Sequence, residues 1–265
     1  FNHTGRKSVY FNADGFYPTL GAAQGEQSPY YRWYSFHPFP DDYDAWWGIK
    51  NLPAVNETEE SYVDYIIEGE HSIIRRWLRA GASGWRLDVA DELPDEFIAR
   101  IRRAIEEERP DGYLLGEVWE DGTTKIAYSK RRKYLLGRET HGLMNYPFRT
   151  ALLDFLRGGD AAVFRERMEE LREHYPAPAY YGAMNFLSTH DTPRLLTLLG
   201  HEGDAPATRD ERAAYLLSEE EKSRGTALLK LAALILYTFP GSPMLYYGDE
   251  AGMQGFEDPF NRGPY

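Results

Sequence analysis

The chain has 265 residues, 42% of them hydrophobic, and a formal net charge of −12. This length is enough for one large domain, or one domain with an insertion, around a substantial core. The negative charge argues against a nucleic-acid partner, and no stretch reaches the ~18 apolar residues of a membrane span. The absence of cysteine excludes disulfides and thiolate ligands. The compartment stays open, with the cytoplasm slightly favoured over export.

Residues 5–58 are rich in glycine, proline and aromatic side chains and show little regular periodicity. A structureless loop of this length is uncommon inside a compact domain, so we predict a small inserted domain with an aromatic core. A helix is predicted to follow it over residues 59–80. The aromatic content of the whole chain, 15%, fits either a large core or a cleft in which flat rings stack on sugars.

From about residue 82 the chain alternates short apolar runs with longer helical patterns. Strands are predicted at 84–90, 113–119, 142–146, 185–189 and 243–247, and helices at 91–108 and 218–237. This alternation is typical of a parallel α/β sheet, either a barrel or a doubly wound sheet. No Gly-x-Gly-x-x-Gly follows a strand, so the dinucleotide-binding fingerprint is missing. Polar residues at several strand ends favour the barrel: Asp88, Glu117, Asn145, His190 and Asp191.

Three of these strand-end residues are carboxylates with few matching cations nearby in sequence. Asp88 lies two residues after Arg86, on the same face of the predicted strand, so a satisfied buried ion pair is the simplest interpretation of Asp88 alone. Glu117 and Asp191 repeat the pattern on later strands, which a structural ion pair does not explain. Glycoside hydrolysis requires two facing carboxyl groups, one ionised and one protonated. We therefore interpret these acids as a catalytic group, with Arg86 keeping Asp88 ionised.

Five segments resemble signature segments of the α-amylase family of glycoside hydrolases (family 13). They are Phe-Asn-His-Thr at 1–4, Leu-Pro-Ala-Val-Asn at 52–56, Gly-Trp-Arg-Leu-Asp-Val-Ala at 84–90, Gly-Glu-Val-Trp at 116–119 and Phe-Leu-Ser-Thr-His-Asp at 186–191. The resemblance implies a partial (β/α)8 TIM barrel, an α/β fold that runs from the end of strand 3 to strand 8. Residues 1–4 would end strand 3, residues 5–58 would form the inserted domain B, and residues 59–265 would be the rest of the barrel without its final helix. We accordingly expect both ends of the chain to be cut.

The resemblance also implies a role for each matching residue. Asp88 would be the nucleophile, Glu117 the general acid and base, and Asp191 a stabiliser of the transition state. The expected contacts to the sugar beside the scissile bond come from His3, Arg86 and His190. Asn56, in the second of the five segments, is a further candidate for substrate binding.

Four further segments resemble the neopullulanase, cyclomaltodextrinase and maltogenic amylase group: 116–121, 131–134, 144–148 and 258–262. In that group, Trp119 would be a stacking platform on the leaving-group side. Asp258 and Arg262 would bind a sugar on the other side. The alternatives are that Trp119 packs inside the barrel and that Asp258 and Arg262 form a surface salt bridge.

The resulting hypothesis is a retaining hydrolase of α-1,4 and some α-1,6 glucosidic bonds in maltodextrin, cyclodextrin or pullulan. Its partner would be an α-glucan oligo- or polysaccharide, with no nucleic acid and no membrane. The chemistry requires no cofactor, a structural calcium ion cannot be assigned to particular residues, and a homodimer of a full-length parent is left open. Two alternatives remain: an α-glucan transglycosylase or isomerase with the same three carboxylates, and a non-catalytic amylase-like binding subunit.

Overall fold

The computed structural model describes residues 1–265, which form two compact units. The first unit contains Phe1–Glu117 and Ala127–His141, and the second contains Val118–Ile126 and Gly142–Tyr265. No helix in either unit combines the length and the apolar character needed to cross a membrane.

The first unit is built around a strand–helix–strand motif. Its helices are α1 (Glu60–Val63), α2 (Ile73–Arg79) and α3 (Asp95–Glu108), and its parallel strands are β1 (Gly84–Leu87) and β2 (Tyr113–Gly116). The register pairs Gly84 with Tyr113 and Leu87 with Gly116. A Cβ atom at position 84 would overlap the Tyr113 carbonyl, so this close approach of the strands requires glycine. Two short strands follow along the chain, β3 (Ile126–Ala127) and β4 (Lys130–Arg131).

Helix α3 agrees with the predicted apolar periodicity, because its buried face contains Phe97, Ile98, Ile101 and Ile105. The predicted start at residue 91 is wrong. Pro94 is the N-cap of α3, and the preceding residues Ala90–Glu92 form a short 3-10 turn. Proline is tolerated at a helix start and not in its interior, which explains where the helix begins.

The predicted continuous helix over residues 59–80 is also wrong. Helix α1 passes into a π-helical turn over Asp64–Glu68, and the chain then bends before α2 begins. The side chain of Ser72 caps α2 by accepting from the Arg75 amide. A Cβ at Gly69 would come within 2.7 Å of the Asp64 carbonyl oxygen, so glycine permits the tight bend that separates the two helices.

Residues 5–58 form no helix longer than three residues: their regular elements are 3-10 turns at Ala22–Gln24, Tyr31–Trp33 and Trp46–Gly48. Aromatic packing replaces regular structure. The Phe11 ring is fully buried and contacts the rings of Tyr34, Phe36 and Tyr43, with centroids 4.6–5.8 Å apart. An aromatic cluster therefore lies where the sequence indicated one, and the exact limits of an inserted domain stay a prediction.

The second unit is mainly helical. Its elements in order are β5 (Gly142–Leu143), α4 (Tyr146–Leu156), α5 (Ala161–His174), α6 (Ala177–Gly182), β6 (Met184–Asn185), α7 (Leu195–Gly200), α8 (Arg209–Ala214), α9 (Glu219–Thr238) and β7 (Ser242–Pro243). Strands β6 and β7 are parallel neighbours. The predicted strands at 142–146, 185–189 and 243–247 were too long, because the regular strand at each place has only two residues. Strand-like bonds extend the pairing by one or two residues, from the Asn145 amide to Met184 and from the Met244 amide to Asn185. Further along, the Thr189 amide donates to the Thr192 hydroxyl instead of a strand.

Helices α7 and α9 approach each other closely through two glycines. A Cβ at Gly225 would lie 2.9 Å from the Gly200 Cα, and a Cβ at Gly200 would lie 2.8 Å from the Glu221 carbonyl oxygen. Leu196 and Leu199 are buried on α7, and Ala232 and Leu236 are buried on α9. This packing fixes the helix that directly follows the loop at residues 189–192.

Leu234 and Leu236 of α9 test which face of this helix is buried, because the same substitution to alanine can be made at both positions. Leu236 is 2% exposed and Leu234 is 61% exposed. We expect Leu236→Ala to lower the free energy of unfolding by about 2–5 kcal/mol, because it removes buried methyl groups and leaves a cavity. Leu234→Ala should change it by about 0.5 kcal/mol or less. Urea denaturation of both variants measures the difference, and equal losses would contradict the described packing of α9.

Candidate active site

Asp88 and Glu117 each follow directly after one of two neighbouring parallel strands, β1 and β2. The guanidinium of Arg86 contacts both: Nη1 binds an Asp88 carboxylate oxygen, and Nη2 lies 2.9 Å from Glu117 Oε2. The sequence predicted the Arg86–Asp88 contact. The second contact shows that the two acids share one cation and are close neighbours.

The environments of the two carboxylates differ strongly. The Asp88 side chain is 59% exposed, whereas that of Glu117 is 4% exposed. The N–H of Val89 donates to Glu117 Oε2 at 2.8 Å, and Val89 has a positive φ of 42°. A β-branched residue rarely adopts this left-handed conformation. Val89 directly follows the exposed Asp88. Its turn therefore places the Val89 amide against the buried Glu117.

Arg132 holds the loop that follows Asp88, a role that the sequence did not reveal. Its side chain is buried and donates to the main-chain carbonyls of Ala90, Asp91 and Leu93 at 2.6–3.4 Å. Tyr134, two residues later, donates to Asp91 Oδ1. Both residues lie in the segment 131–134, which had been noted only for its resemblance to one group of enzymes. The carbonyl groups that Arg132 contacts lie about 40 residues earlier in the chain and could not be inferred from the local sequence.

His3 and Asn56 also belong to the first unit. The His3 ring lies against Trp46, with centroids 5.0 Å apart, and its Nδ1 lies 2.6 Å from Asn2 Oδ1. Burial lowers the pKa of His3 below its ordinary value, which favours the neutral ring. The Asn56 carbonyl Oδ1 accepts from both the amide and the hydroxyl of Thr58, so this oxygen stabilises a local turn.

In the second unit, Arg262 connects the predicted site residues to one another. Its Nη2 lies 3.3 Å from Asp191 Oδ1, and its Nε donates to the His190 carbonyl at 3.1 Å. The same Nε lies 2.9 Å from Asp258 Oδ1. The imidazole Nε2 of His190 is 3.1 Å from Asp191 Oδ2. The salt bridge between Asp258 and Arg262 is therefore present, and the same guanidinium also contacts Asp191.

Asn261 is a further residue that the sequence reasoning missed. Its side chain is fully buried, and Nδ2 lies 2.8–3.1 Å from the carbonyl oxygens of Thr189, His190 and Thr192. It therefore holds the loop that carries Asp191 from a segment about 70 residues further along the chain. Asn145, by contrast, caps α4 and donates to Asn185, which gives that strand-end residue a structural role.

Trp119 stacks on one side against Tyr146, with ring centroids 4.5 Å apart and planes 14° apart. Over half of Trp119 is exposed. The indole lines a cleft of about 390 Å³ together with Thr150, Leu171 and His174. The hydrogen bond that Asp121 Oδ2 accepts from His174 Nδ1, at 2.6 Å, raises the pKa of His174, which favours the protonated imidazole in this cleft. Trp119 is thus supported by its neighbour and open to solvent.

The predicted site residues fall into two groups. His3, Asn56, Arg86, Asp88 and Glu117 lie in the first unit, and Trp119, His190, Asp191, Asp258 and Arg262 lie in the second. Each group is brought together locally, and the convergence of Asp191 with the first two carboxylates stays a prediction. No group of three or more His, Asp or Glu side chains is arranged to hold a metal ion.

Comparison with known proteins gives the family context for this geometry. The family described as "Alpha amylase, catalytic domain" matches residues 1–263. An amylopullulanase of Thermoanaerobacter thermohydrosulfuricus is 35% identical over 99% of this chain and 19% of its own length. A cyclomaltodextrinase of a Bacillus species is 32% identical over 98% of this chain and 40% of its own length. The chain therefore spans less than half of either relative.

The structural comparison agrees with the sequence comparison. The crystal structure of the protein Ttha1563 from Thermus thermophilus superposes with a TM-score of 0.78 and 32% identity, over 99% of this chain and 52% of that protein. These matches indicate a barrel-like α/β fold. The predicted number of barrel strands stays a prediction. The chain belongs to the α-amylase family of glycoside hydrolases.

Proposed function

We propose that the protein containing this chain hydrolyses α-glucosidic bonds in α-glucans and retains the anomeric configuration. The observation that supports this most directly is the sharing of Arg86 by Asp88 and Glu117 at the ends of adjacent strands. A retaining glycosidase needs two carboxyl groups about 5–5.5 Å apart, one to attack and one to protonate the leaving oxygen. Two acids that contact one guanidinium fit that requirement.

The two environments support a division of labour. The exposed carboxylate of Asp88 attacks the anomeric carbon and forms a glycosyl-enzyme, while the glucosidic bond breaks and Glu117 protonates the leaving oxygen. Glu117 then removes a proton from the water that hydrolyses the intermediate. Burial excludes solvent from around Glu117, so its proton transfers would take place away from bulk water.

The contacts of Glu117 bear on the orientation of its carboxyl group. Oε2 accepts from the Val89 amide at 2.8 Å and lies 2.9 Å from Arg86 Nη2. These two contacts would hold the carboxyl group in place for the proton transfer.

The remaining site residues would bind the reacting sugar and its neighbours. Asp191 and His190 would bind hydroxyl groups of the reacting sugar, with His3 on the same sugar and Asn56 nearby. Arg262 would position Asp191 through their 3.3 Å contact, and Asp258 would share that guanidinium and bind a more distant sugar. Maltodextrin, cyclodextrin and pullulan are the substrates we propose, because the relatives include proteins named cyclomaltodextrinase and amylopullulanase.

The nucleophile is tested in the intact protein with Asp88→Asn. We expect turnover of maltodextrin to fall by several orders of magnitude because the amide cannot form the glycosyl-enzyme. Mass spectrometry of the wild type treated with a fluorinated glucosyl fluoride should show a covalent adduct on Asp88. NMR of the first product should show the retained anomer, and product analysis separates hydrolysis from transfer and isomerisation.

Asp111→Asn is the matched control for this substitution. Asp111 also pairs with an arginine two residues earlier, Arg109, at 3.1 Å, but it lies on the surface before β2. Its loss should leave turnover unchanged. Activity of the Asp88→Asn variant within tenfold of the wild type, or an inverted product, would refute the assignment.

The platform role of Trp119 is tested by comparing long and short substrates. Trp119→Ala should reduce kcat/KM for long or cyclic dextrins more than for a short aryl α-glucoside, because only binding remote from the reacting sugar is lost. Equal losses on both substrates, together with a lowered melting temperature, would favour a packing role against Tyr146.

The loop-positioning role of Asn261 is tested against another buried asparagine. Asn12 is also fully buried and donates to the carbonyls of Tyr17 and Thr19. Both Asn261→Ala and Asn12→Ala should destabilise the protein by about 1–3 kcal/mol, because main-chain carbonyls lose their donor. Only Asn261→Ala should lower kcat, by about 10²-fold, because Asp191 moves out of place. Kinetics and thermal unfolding of both variants measure this, and equal effects on kcat would reduce Asn261 to a purely structural residue.

A further inference from the structure

Three aromatic rings lie in series in the first unit, from His3 through Trp46 to Trp47. The His3 and Trp46 rings have centroids 5.0 Å apart and planes 28° apart. The Trp46 and Trp47 rings are closer and nearly parallel, at 4.2 Å and 12°. Trp47 is nevertheless 67% exposed. The series therefore ends in an indole that is supported by Trp46 and remains largely open to solvent.

The backbone at Trp47 is in a costly conformation. Its φ is 50°, a left-handed value that is unfavourable for a bulky residue. Main-chain bonds fix the turn on both sides, since Trp46 donates to Leu52 and Ile49 donates to Trp46 at 2.9–3.0 Å. Burial of the indole does not offset this cost, because most of the side chain faces water. Residues held in such strained conformations cluster at active sites and ligand-binding clamps.

The position of the series relates it to the candidate catalytic residues. Asp88 is close enough to His3 to oppose the lowering of the His3 pKa by burial. His3 is a proposed contact of the reacting sugar, and Trp47 lies two ring contacts further along. An oligosaccharide bound at Asp88 and His3 would therefore meet Trp47 with a sugar unit outside the reacting position.

The exposed indole of Trp47 favours a ligand that has a flat apolar face. One face of a glucosyl ring presents C–H groups, which are apolar and slightly positive, and the face of an indole is electron-rich. The ring is also held by Trp46 before any ligand arrives, so little side-chain freedom is lost on binding. We propose that Trp47 is a stacking site for a glucosyl unit of an α-glucan, remote from the scissile bond. This inference rests on the proposed function for the identity of the sugar.

The test uses the intact protein and three variants. Trp47→Ala removes the platform, Trp47→Phe keeps a smaller ring, and Trp77→Ala is the matched control. Trp77 is 56% exposed on α2, so the control removes a similarly exposed indole. The Kd for maltoheptaose is measured by calorimetry with each variant combined with Asp88→Asn, so that the ligand is not cleaved. The kcat/KM for maltoheptaose and for an aryl α-glucoside is measured with Asp88 intact.

We expect Trp47→Ala to weaken maltoheptaose binding roughly tenfold, because both the stacked contact and its buried apolar area are lost. Trp47→Phe should recover part of this loss. Both Trp47 variants should hydrolyse the aryl glucoside as the wild type does. Trp77→Ala should change neither the Kd for maltoheptaose nor kcat/KM for either substrate.

Three results would overturn the proposal. They are equal Kd values for Trp47→Ala and Trp77→Ala, equal losses on long and short substrates with a lowered melting temperature, and a change of sedimentation that places Trp47 in a contact between protein copies. The proposed function fails separately: a wild type that binds maltoheptaose through Trp47 without cleaving it would refute the hydrolase and support the stacking site. A wild type that does not bind maltoheptaose would refute both.

Discussion

The arrangement of both groups of site residues depends on one constraint: main-chain carbonyls beyond the end of a strand have lost their ladder partners and need other donors. Arg132 satisfies three such carbonyls after Asp88, and Asn261 faces three around Asp191. Both side chains are buried, so water does not compete for their N–H groups. In each unit, a single polar side chain from a later segment thus fixes the loop on which a carboxylate must be held.

Charge imposes a second constraint on the same loops. Asp88 and Glu117 belong to a chain with a net charge of −12, and two carboxylates that contact one guanidinium would repel each other without it. Arg86 offsets that repulsion from within strand β1. The arrangement is asymmetric because Oε2 of Glu117 receives a second, uncharged donor from Val89. Electrostatics and backbone geometry therefore act on the same oxygen and leave the two acids with different surroundings.

The features that the sequence predicted correctly are local ones. The buried face of α3 follows from residues three and four apart, and the positions of Asp88 and Glu117 follow from apolar runs that end in an acid. The break between α1 and α2 was missed because apolar residues recur at helical spacing on both sides of the polar run 68–72 and were interpreted as one helix. Arg132 and Asn261 were missed for a different reason: their partners lie about 40 and 70 residues away, and no local pattern carries that information.

Backbone strain gives a final link between sequence and site. Val89, Trp47 and Tyr128 are bulky residues with φ of 42–51°, where glycine would be less costly. The Tyr128 hydroxyl is anchored on Glu92 at 2.6 Å, and the Val89 amide is anchored on Glu117. Trp47 has only the stack on Trp46 to hold its side chain. Local preference and structure disagree at all three positions, and such disagreement is concentrated at functional sites in natural proteins. The turn beside Glu117 and the exposed indole of Trp47 thus share one physical feature, a backbone conformation that the isolated segment would not favour.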